Sequence, residues 1–148
     1  PGLIDNITDV VRFLADSGIA RTIVTGSGES STLDRVERIF GPMFSRELMV
    51  TARDVKHGKP NPEPYLMGLR KLGVQPGEAV VVENAPLGVK AGRSAGVFTI
   101  AVNTGILSRS DLEAAGANLV LDNMLQLKDT LAEMIGKNEN DKIKPDTN

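Results

Sequence analysis

The sequence predicts an α/β fold, a three-layer Rossmann-like parallel sheet with helices on both faces. Two observations support this prediction. Short apolar or β-branched runs alternate along the chain with segments of helical periodicity, a pattern typical of parallel sheets with crossover helices. The run at residues 79–82 is apolar throughout, as expected of a strand covered on both faces. Ligands of such sheets bind at the carboxyl ends of the strands, so the polar residues that follow each strand are the candidate functional residues.

The amino-terminal half is predicted to alternate between three helices and two short strands. Apolar residues at helical spacing precede Gly18, which favours a helix that ends there. A β-branched run at 22–24 follows and favours a strand. The helix over 62–72 begins with a proline, which is tolerated in the first turn of a helix. In chain order, the predicted elements are a helix ending before Gly18, a strand at 22–24, a helix over 31–39, a strand at 48–50 and a helix over 62–72.

The carboxyl-terminal half continues the same alternation. Its predicted elements are a strand at 79–82, a helix over 86–95, a strand at 97–102, a helix over 111–115, a strand at 118–121 and a helix over 124–135. The residues after Gly136 are mostly polar and cannot bury an apolar face. We therefore expect a partial α/β core over residues 1–136 and a flexible polar tail over residues 137–148.

Composition narrows the classes of function. The chain has 148 residues, and its 17 basic and 19 acidic residues give a net charge of −2, so nothing in its charge favours nucleic acid as a partner. No apolar run is long enough to span a membrane. The absence of cysteine excludes a disulfide scaffold, a thiolate metal site and a cysteine nucleophile, and it is compatible with a reducing, cytoplasmic location.

The first candidate site is the segment VTGSGESS, residues 24–31, between a predicted strand and a predicted helix. Backbone N–H groups and a helix N-terminus at such a position can bind a phosphate. The structural alternative is an ordinary turn capped by Ser30 or Ser31. The segment is neither a P-loop nor a dinucleotide fingerprint, because no Gly-Lys-Ser/Thr follows and the glycine spacing differs.

The second candidate site is HGKPNPEPY, residues 57–65. Lys59 lies between Gly58 and Pro60, in a stretch whose stiff backbone can aim a lysine at a fixed anion. The alternative is a surface lysine in a proline-rich loop. His57 is the only histidine of the chain, and an exposed loop histidine is the preferred interpretation over a general acid–base role.

The third candidate site follows the apolar run at 79–82. Glu83 and Asn84 provide two oxygen-bearing side chains at a strand end, which suits Mg²⁺. The alternative is helix capping by Asn84, with Pro86 in the first turn. A stripe of small residues between Gly88 and Ala95 is expected to let the following helix pack closely on the sheet.

Taken together, the order and placement of these three segments resemble the haloacid dehalogenase-like (HAD) superfamily of phosphohydrolases, in its β-phosphoglucomutase and phosphoglycolate phosphatase-like branch. The resemblance covers residues 1–135. It implies that the Thr25 hydroxyl and the N–H groups of Gly26 and Ser27 bind the transferring phosphoryl group. It also implies that Lys59 neutralises charge on the nucleophile and the phosphoryl group.

The same resemblance implies that Glu83 and Asn84 help to hold Mg²⁺. Two departures from the family pattern stand out. Asn84 occupies a position where the family usually carries a second acid. The Asp-x-Asp nucleophile motif, which ends the family's first strand before a helical cap, is absent here, because the upstream acids Asp5 and Asp9 fall on the predicted first helix.

This sequence, which opens at Pro1 rather than Met, therefore resembles the carboxyl-terminal part of a longer enzyme. The family's first strand is expected between the strands at 22–24 and 79–82. Three arrangements could fill the position of this strand. The two flanking strands could pair directly, another copy of the chain could donate a strand, or the missing amino-terminal segment could complete the core. We expect the third outcome.

The function implied by the resemblance is Mg²⁺-dependent hydrolysis of a small, sugar phosphate-like phosphomonoester through an aspartyl-phosphate whose nucleophile lies outside this chain. Two alternatives stay open. One is a non-catalytic domain with a role in assembly or regulation, and the other is a sugar-phosphate mutase. The expected partners are a small phosphorylated substrate and either the missing segment or a second copy of the chain, with neither nucleic acid nor membrane among them.

Overall fold

The computed structural model describes residues 2–105 and 108–143. Three parallel strands form a sheet in the order β1 (Val80–Glu83), β2 (Phe98–Val102) and β3 (Leu119–Leu121). The register pairs Val82 with Ile100 and Ile100 with Leu119. The parallel sheet and its helices confirm the predicted α/β fold class.

Six α-helices accompany the sheet in the described residues. They are α1 (Gly2–Asp16), α2 (Ser30–Phe40), α3 (Glu63–Leu72), α4 (Pro86–Ser94), α5 (Arg109–Ala114) and α6 (Met124–Ile143). Each lies where the sequence predicts a helix. The last is longer than predicted, because it continues through Gly136 to Ile143 instead of ending at residue 135. The remainder of the predicted tail, residues 144–148, lies outside the described residues. None of the helices in residues 2–105 and 108–143 combines the length and the apolar character needed to cross a bilayer.

The helices cover the sheet from both sides. On one face, α1 and α6 pack over β2, in a cluster of buried residues formed by Val10, Ile100, Val102, Leu127 and Leu131. On the other face, α4 and α5 enclose Val89, Ala101, Leu112, Ala115 and Val120. A third cluster joins α3 to β1 through Leu69, Val81, Ala95 and Val97. The alternation of adjacent strand residues between these clusters produces the predicted three layers.

The two strands predicted in the amino-terminal half are each reduced to a single bridge. Val24 forms an isolated parallel bridge with Val50, and residues 46–48 form a 3₁₀ turn instead of extended backbone. The Thr22 hydroxyl donates to the Leu48 carbonyl at 2.6 Å and takes an acceptor that a backbone ladder would otherwise use. The predicted strands are therefore wrong as regular elements, because a two-stranded ribbon without a third partner is marginal.

In the described residues, the segment at 22–24, called the Val24 segment below, does not pair with β1. β1 pairs with β2, and Val24 pairs with Val50. Val82 shares the α1/α6 face with its partner Ile100, yet Val80 and Val82 are 36% and 40% exposed. The helical layer thus stops short of β1, whose outer edge is open. Direct pairing of the two flanking strands, one of the three outcomes considered above, is not observed in this part of the chain.

Candidate active site at the strand ends

The centre of the candidate site is an ion pair between Lys59 and Glu83. The Lys59 Nζ donates to Glu83 Oε1 at 2.5 Å and to the Val24 carbonyl at 3.1 Å. The two side chains are 21% and 8% exposed, so the pair is largely shielded from water. All three sequence-predicted segments therefore meet at Lys59, which is not the solvated loop lysine of the structural alternative.

Tyr65, the only tyrosine of the chain, belongs to the same cluster. Its hydroxyl donates to Glu83 Oε1, the oxygen that also accepts from Lys59, and the Lys59 Nζ lies 5.0 Å from the centroid of its ring. Burial raises the pKa of the Tyr65 phenol far above its ordinary value, and the Glu83 carboxylate adds to the increase. The hydroxyl consequently stays protonated and remains a donor.

Sequence reasoning missed Tyr65. A signal was available, because Tyr65 lies in the first turn of α3, directly after the loop at residues 55–62 that carries Lys59 and is called the lysine loop below. Long side chains in a helix point back toward its N-terminus, which here means toward the loop that carries Lys59.

The Glu83 carboxylate rests against the first turns of α4. A Cβ atom at Gly88 would lie 2.0 Å from the carboxyl carbon and 2.2 Å from both carboxylate oxygens. Gly88 therefore leaves room for the carboxylate, a role that differs from the packing role predicted for the small-residue stripe. Gly92 does have that packing role, since a Cβ there would lie 2.5 Å from Thr99 Oγ1. The Asn84 N–H donates to Glu83 Oε2 at 3.3 Å.

Thr25 and Ser27 organise the loop that follows the Val24 bridge. The Ser27 N–H donates to Thr25 Oγ1 at 3.1 Å. Of the two backbone N–H groups predicted to bind phosphate, those of Gly26 and Ser27, the second therefore already has an acceptor within the loop. The Ser27 hydroxyl accepts from the Glu29 N–H at 3.2 Å. Residue Glu29 takes the N-cap position of α2 without a side-chain cap hydrogen bond, so capping by Ser30 or Ser31 is wrong.

A cavity of about 240 Å³ connects this loop to the lysine loop. Its walls include Thr25, Gly26, Lys56 and Lys59. Two lysines, one hydroxyl and glycine backbone around one small cavity form an environment suited to an anion the size of a phosphoryl group.

Glu63 fixes the shape of the lysine loop from the start of α3. Its Oε2 accepts from the backbone N–H groups of Lys56 and His57, the latter at 3.0 Å. The hydrogen bond from the His57 N–H is the main reason that the pKa of Glu63 is lowered. The imidazole of His57 is exposed, with Nδ1 3.6 Å from Glu63 Oε1, which agrees with the preferred interpretation of a loop histidine. Sequence reasoning did not find Glu63.

Comparison with known proteins identifies the family. Residues 2–102 match the profile of haloacid dehalogenase-like hydrolases. The chain belongs to this family. Within HAD-like hydrolases it is 44% identical over 94 residues to hexitol phosphatase A of Escherichia coli, covering 64% of this chain and 43% of that protein. It is 30% identical over 135 residues to the pyrophosphatase PpaX of Bacillus cereus, covering 88% of this chain and 60% of that protein.

Solved structures agree with the HAD-like fold. A Bacteroides vulgatus structure provisionally named a beta-phosphoglucomutase superposes with a TM-score of 0.80 at 50% identity, covering 86% of this chain and 51% of that one. This chain thus spans about half the length of that structure, and between 43% and 60% of the two curated relatives.

HAD enzymes generally use Mg²⁺, and two residues of the site fit such an ion in part. Glu83 Oε2, opposite the oxygen that pairs with Lys59, and the exposed Asn84 amide are hard oxygen donors. Mg²⁺ commonly binds through one or two protein oxygens while it keeps water and substrate ligands. Across residues 2–105 and 108–143 no group of three or more acidic or histidine side chains is arranged to hold a metal. Glu83 and Asn84 therefore fit as part of a site that needs further ligands.

Proposed function

We propose that this chain is the phosphoryl-binding part of a HAD-like phosphatase that hydrolyses a small, sugar phosphate-like phosphomonoester with the help of Mg²⁺. The observation that carries the proposal is Lys59, which is held by Glu83 and Tyr65 at the wall of a cavity that Thr25 and Gly26 also line. An ammonium held in this way is already oriented before substrate binds, which is how active sites stabilise developing negative charge.

The Lys59 ammonium has one donor to offer a phosphoryl oxygen. A lysine carries three N–H bonds, and in the described part of the chain two of them point to the Val24 carbonyl and to Glu83 Oε1. Lys59 and Thr25 both line the cavity, so we assign the third N–H and the Thr25 hydroxyl to the phosphoryl oxygens. Phosphoryl transfer depends mainly on positioning and charge stabilisation, and these are the contributions that Lys59 and Thr25 make here.

Mg²⁺ would be held by Glu83 Oε2 and the Asn84 amide oxygen together with ligands from outside the described residues. When bound, Mg²⁺ supplies positive charge that neutralises the phosphoryl oxygens. Glu83 would thus serve two cations, because Oε1 orients Lys59 and Oε2 would be a ligand of the metal. Asn84 adds an oxygen ligand without adding negative charge.

The proposal includes a further strand between the Val24 segment and β1. Its support is the open outer edge of β1 and the partial exposure of Val80 and Val82 on the face that α1 and α6 cover elsewhere. The HAD resemblance implies that this strand ends in a nucleophilic aspartate. One carboxylate oxygen attacks phosphorus, the substrate alcohol leaves, and water then hydrolyses the aspartyl-phosphate.

Hydrolysis is preferred over mutase activity because the two curated relatives are a phosphatase and a pyrophosphatase. A sugar-phosphate mutase is the second candidate, and the 50% identity to the structure provisionally named a beta-phosphoglucomutase favours it.

We further propose a cytoplasmic location, which a chain without cysteine allows. The non-catalytic alternative is disfavoured, because a domain without chemistry has no need to shield a Lys59–Glu83 pair beside a cavity lined by Thr25 and Gly26.

Product analysis tests the proposal. The full-length protein is incubated with Mg²⁺ and either a hexitol phosphate or β-glucose 1-phosphate. Release of inorganic phosphate from the hexitol phosphate supports hydrolysis. Formation of glucose 6-phosphate without phosphate release would assign the mutase function. An absence of turnover with these and other small phosphomonoesters would contradict the proposal.

A further inference from the structure

We infer that Tyr65 is a positioning residue for the proposed reaction: its hydroxyl holds Glu83 Oε1 toward Lys59 and so leaves Oε2 free for the cation. The inference rests on the proposed function, in which Tyr65 helps to hold Lys59 but has no role toward Glu83 or the cation. Tyr65 itself stays outside the chemistry.

The two carboxylate oxygens of Glu83 have different hydrogen-bond partners, and this difference assigns them different roles. Oε1 accepts from the Lys59 ammonium and from the Tyr65 hydroxyl. Oε2 accepts from the backbone N–H of Asn84 at 3.3 Å, which is long for a hydrogen bond. The strong donors lie on one side of the carboxylate, and the weakly engaged oxygen lies on the side of Asn84.

Without the Tyr65 hydroxyl, little would fix the rotation of the carboxylate. The terminal torsion of a glutamate is broad, so a single ion pair to a flexible lysine restrains it poorly. The carboxylate occupies the space that a Cβ atom at Gly88 would take, so the glycine gives it room but offers no side chain that fixes its rotation. The second donor on Oε1 is therefore the contact that selects one orientation.

The aromatic ring and the hydroxyl of Tyr65 have separable roles. The ring packs beside the cluster of Leu69 and Val81 and lies near the Lys59 ammonium. The hydroxyl alone contacts Glu83. Tyr65→Phe keeps the packing and the ring beside the ammonium, and it removes only the donor.

The test compares three forms of the full-length protein: wild type, Tyr65→Phe and Val74→Ala. Val74 packs against the same cluster, and its apolar side chain forms no hydrogen bond or ion pair with Lys59 or Glu83, so its truncation reports the effect of loosened packing. For Tyr65→Phe we expect kcat to fall by about 10- to 100-fold, the size of effect that follows the loss of a hydrogen bond to a charged group. The Mg²⁺ concentration for half-maximal activity should rise several-fold, while KM for the phosphomonoester and the shape of the pH profile stay unchanged.

A crystal structure of the Tyr65→Phe protein provides a readout besides activity. We expect the Glu83 carboxylate to be turned away from its wild-type orientation and its distance to Lys59 Nζ to be longer. Wild-type kcat and Mg²⁺ activation in Tyr65→Phe would overturn the inference, and so would an equal loss in Val74→Ala. If the wild-type protein hydrolyses no phosphomonoester, the proposed function fails, and the orientation of Glu83 in the two crystal structures then decides the positioning role separately.

Discussion

Lys59 Nζ lies 2.5 Å from Glu83 Oε1, and this pair joins the Val24 segment to β1, two parts of the described chain that share no strand pairing. A charge pair that is 21% and 8% exposed is unlike a surface salt bridge. Removing one partner leaves the other charge shielded and unpaired, which typically costs about 3–5 kcal/mol. The pair is therefore both a link between two segments and the core of the candidate site.

Gly88→Ala should break this link. The new Cβ atom would lie 2.0 Å from the Glu83 carboxyl carbon, and the carboxylate cannot move aside without leaving Lys59 and Tyr65. We expect the free energy of unfolding to fall by about 1–3 kcal/mol, as for other overpacked sites. Urea denaturation of the full-length protein measures this.

Gly136→Ala is the matched control for that substitution. Gly136 lies inside α6, where an added Cβ meets no atom within 4 Å, so alanine should raise the free energy of unfolding by about 0.5–1 kcal/mol. If Gly88→Ala were as stable as the wild type, the close contact between Glu83 and Gly88 would be disproved.

Glu63 should control the lysine loop in a pH-dependent way. Its pKa is lowered from 4.5, chiefly by the hydrogen bond from the His57 N–H. A carboxyl whose folded-state pKa is lowered stabilises the fold above its unfolded pKa, and that stabilisation is lost as the pH falls through the folded value. We expect the amide proton resonances of Lys56 and His57 to titrate together in NMR spectra, with a common midpoint below 4.5.

Glu63→Gln tests this assignment, because it removes the titrating carboxylate and keeps the side-chain volume. The shared titration of the two amides should disappear in this variant. Its persistence would mean that another group controls the loop.

The open edge of β1 should make the isolated chain self-associate. An unpaired strand edge bearing partly exposed valines is a template for pairing with another copy. We expect the 148-residue chain, expressed alone, to form oligomers in light-scattering measurements and to hydrolyse p-nitrophenyl phosphate no faster than buffer.

Val82→Lys should reduce this association, because lysine on an edge strand opposes edge-to-edge pairing. Leu125→Lys is the control, since Leu125 is 65% exposed on α6, away from the edge. A monomeric wild-type chain with Mg²⁺-dependent phosphatase activity would contradict both the strand argument and the aspartyl-phosphate route.

Much of the site could be predicted from local sequence. Thr25 and Glu83 each directly follow a short apolar run, and Lys59 lies in the loop that leads on from the predicted strand at 48–50. Parallel strands bring their carboxyl ends to one edge, so the fold class predicted that these residues lie close together. Tyr65 and Glu63 could not be found in the same way. Tyr65 is 18 positions from Glu83, and its hydroxyl reaches the carboxylate only because α3 packs on β1.

Local sequence was a weaker guide where tertiary partners decide. The β-branched run at 22–24 has strand propensity, yet it forms only one bridge. In the described chain it pairs on one side with Val50 alone, and no strand pairs with its other side. The predicted end of α6 at residue 135 was wrong because Gly136 and the polar residues after it do not stop the helix. An ion pair between Glu133 and Lys137, at 3.5 Å, spans Gly136 on the helix surface.

The turnover of Lys59→Ala in the full-length protein decides whether Lys59 stabilises charge during the reaction. Lys90→Ala is its control, because Lys90 is an exposed lysine on α4. We expect Lys59→Ala to lower kcat by on the order of 10²-fold or more, the loss seen when a charge-stabilising donor is removed, while Lys90→Ala retains wild-type turnover. Thermal unfolding of each variant separates a loss of chemistry from a loss of folding. A folded Lys59→Ala protein that turns over a phosphomonoester at the wild-type rate would contradict the account.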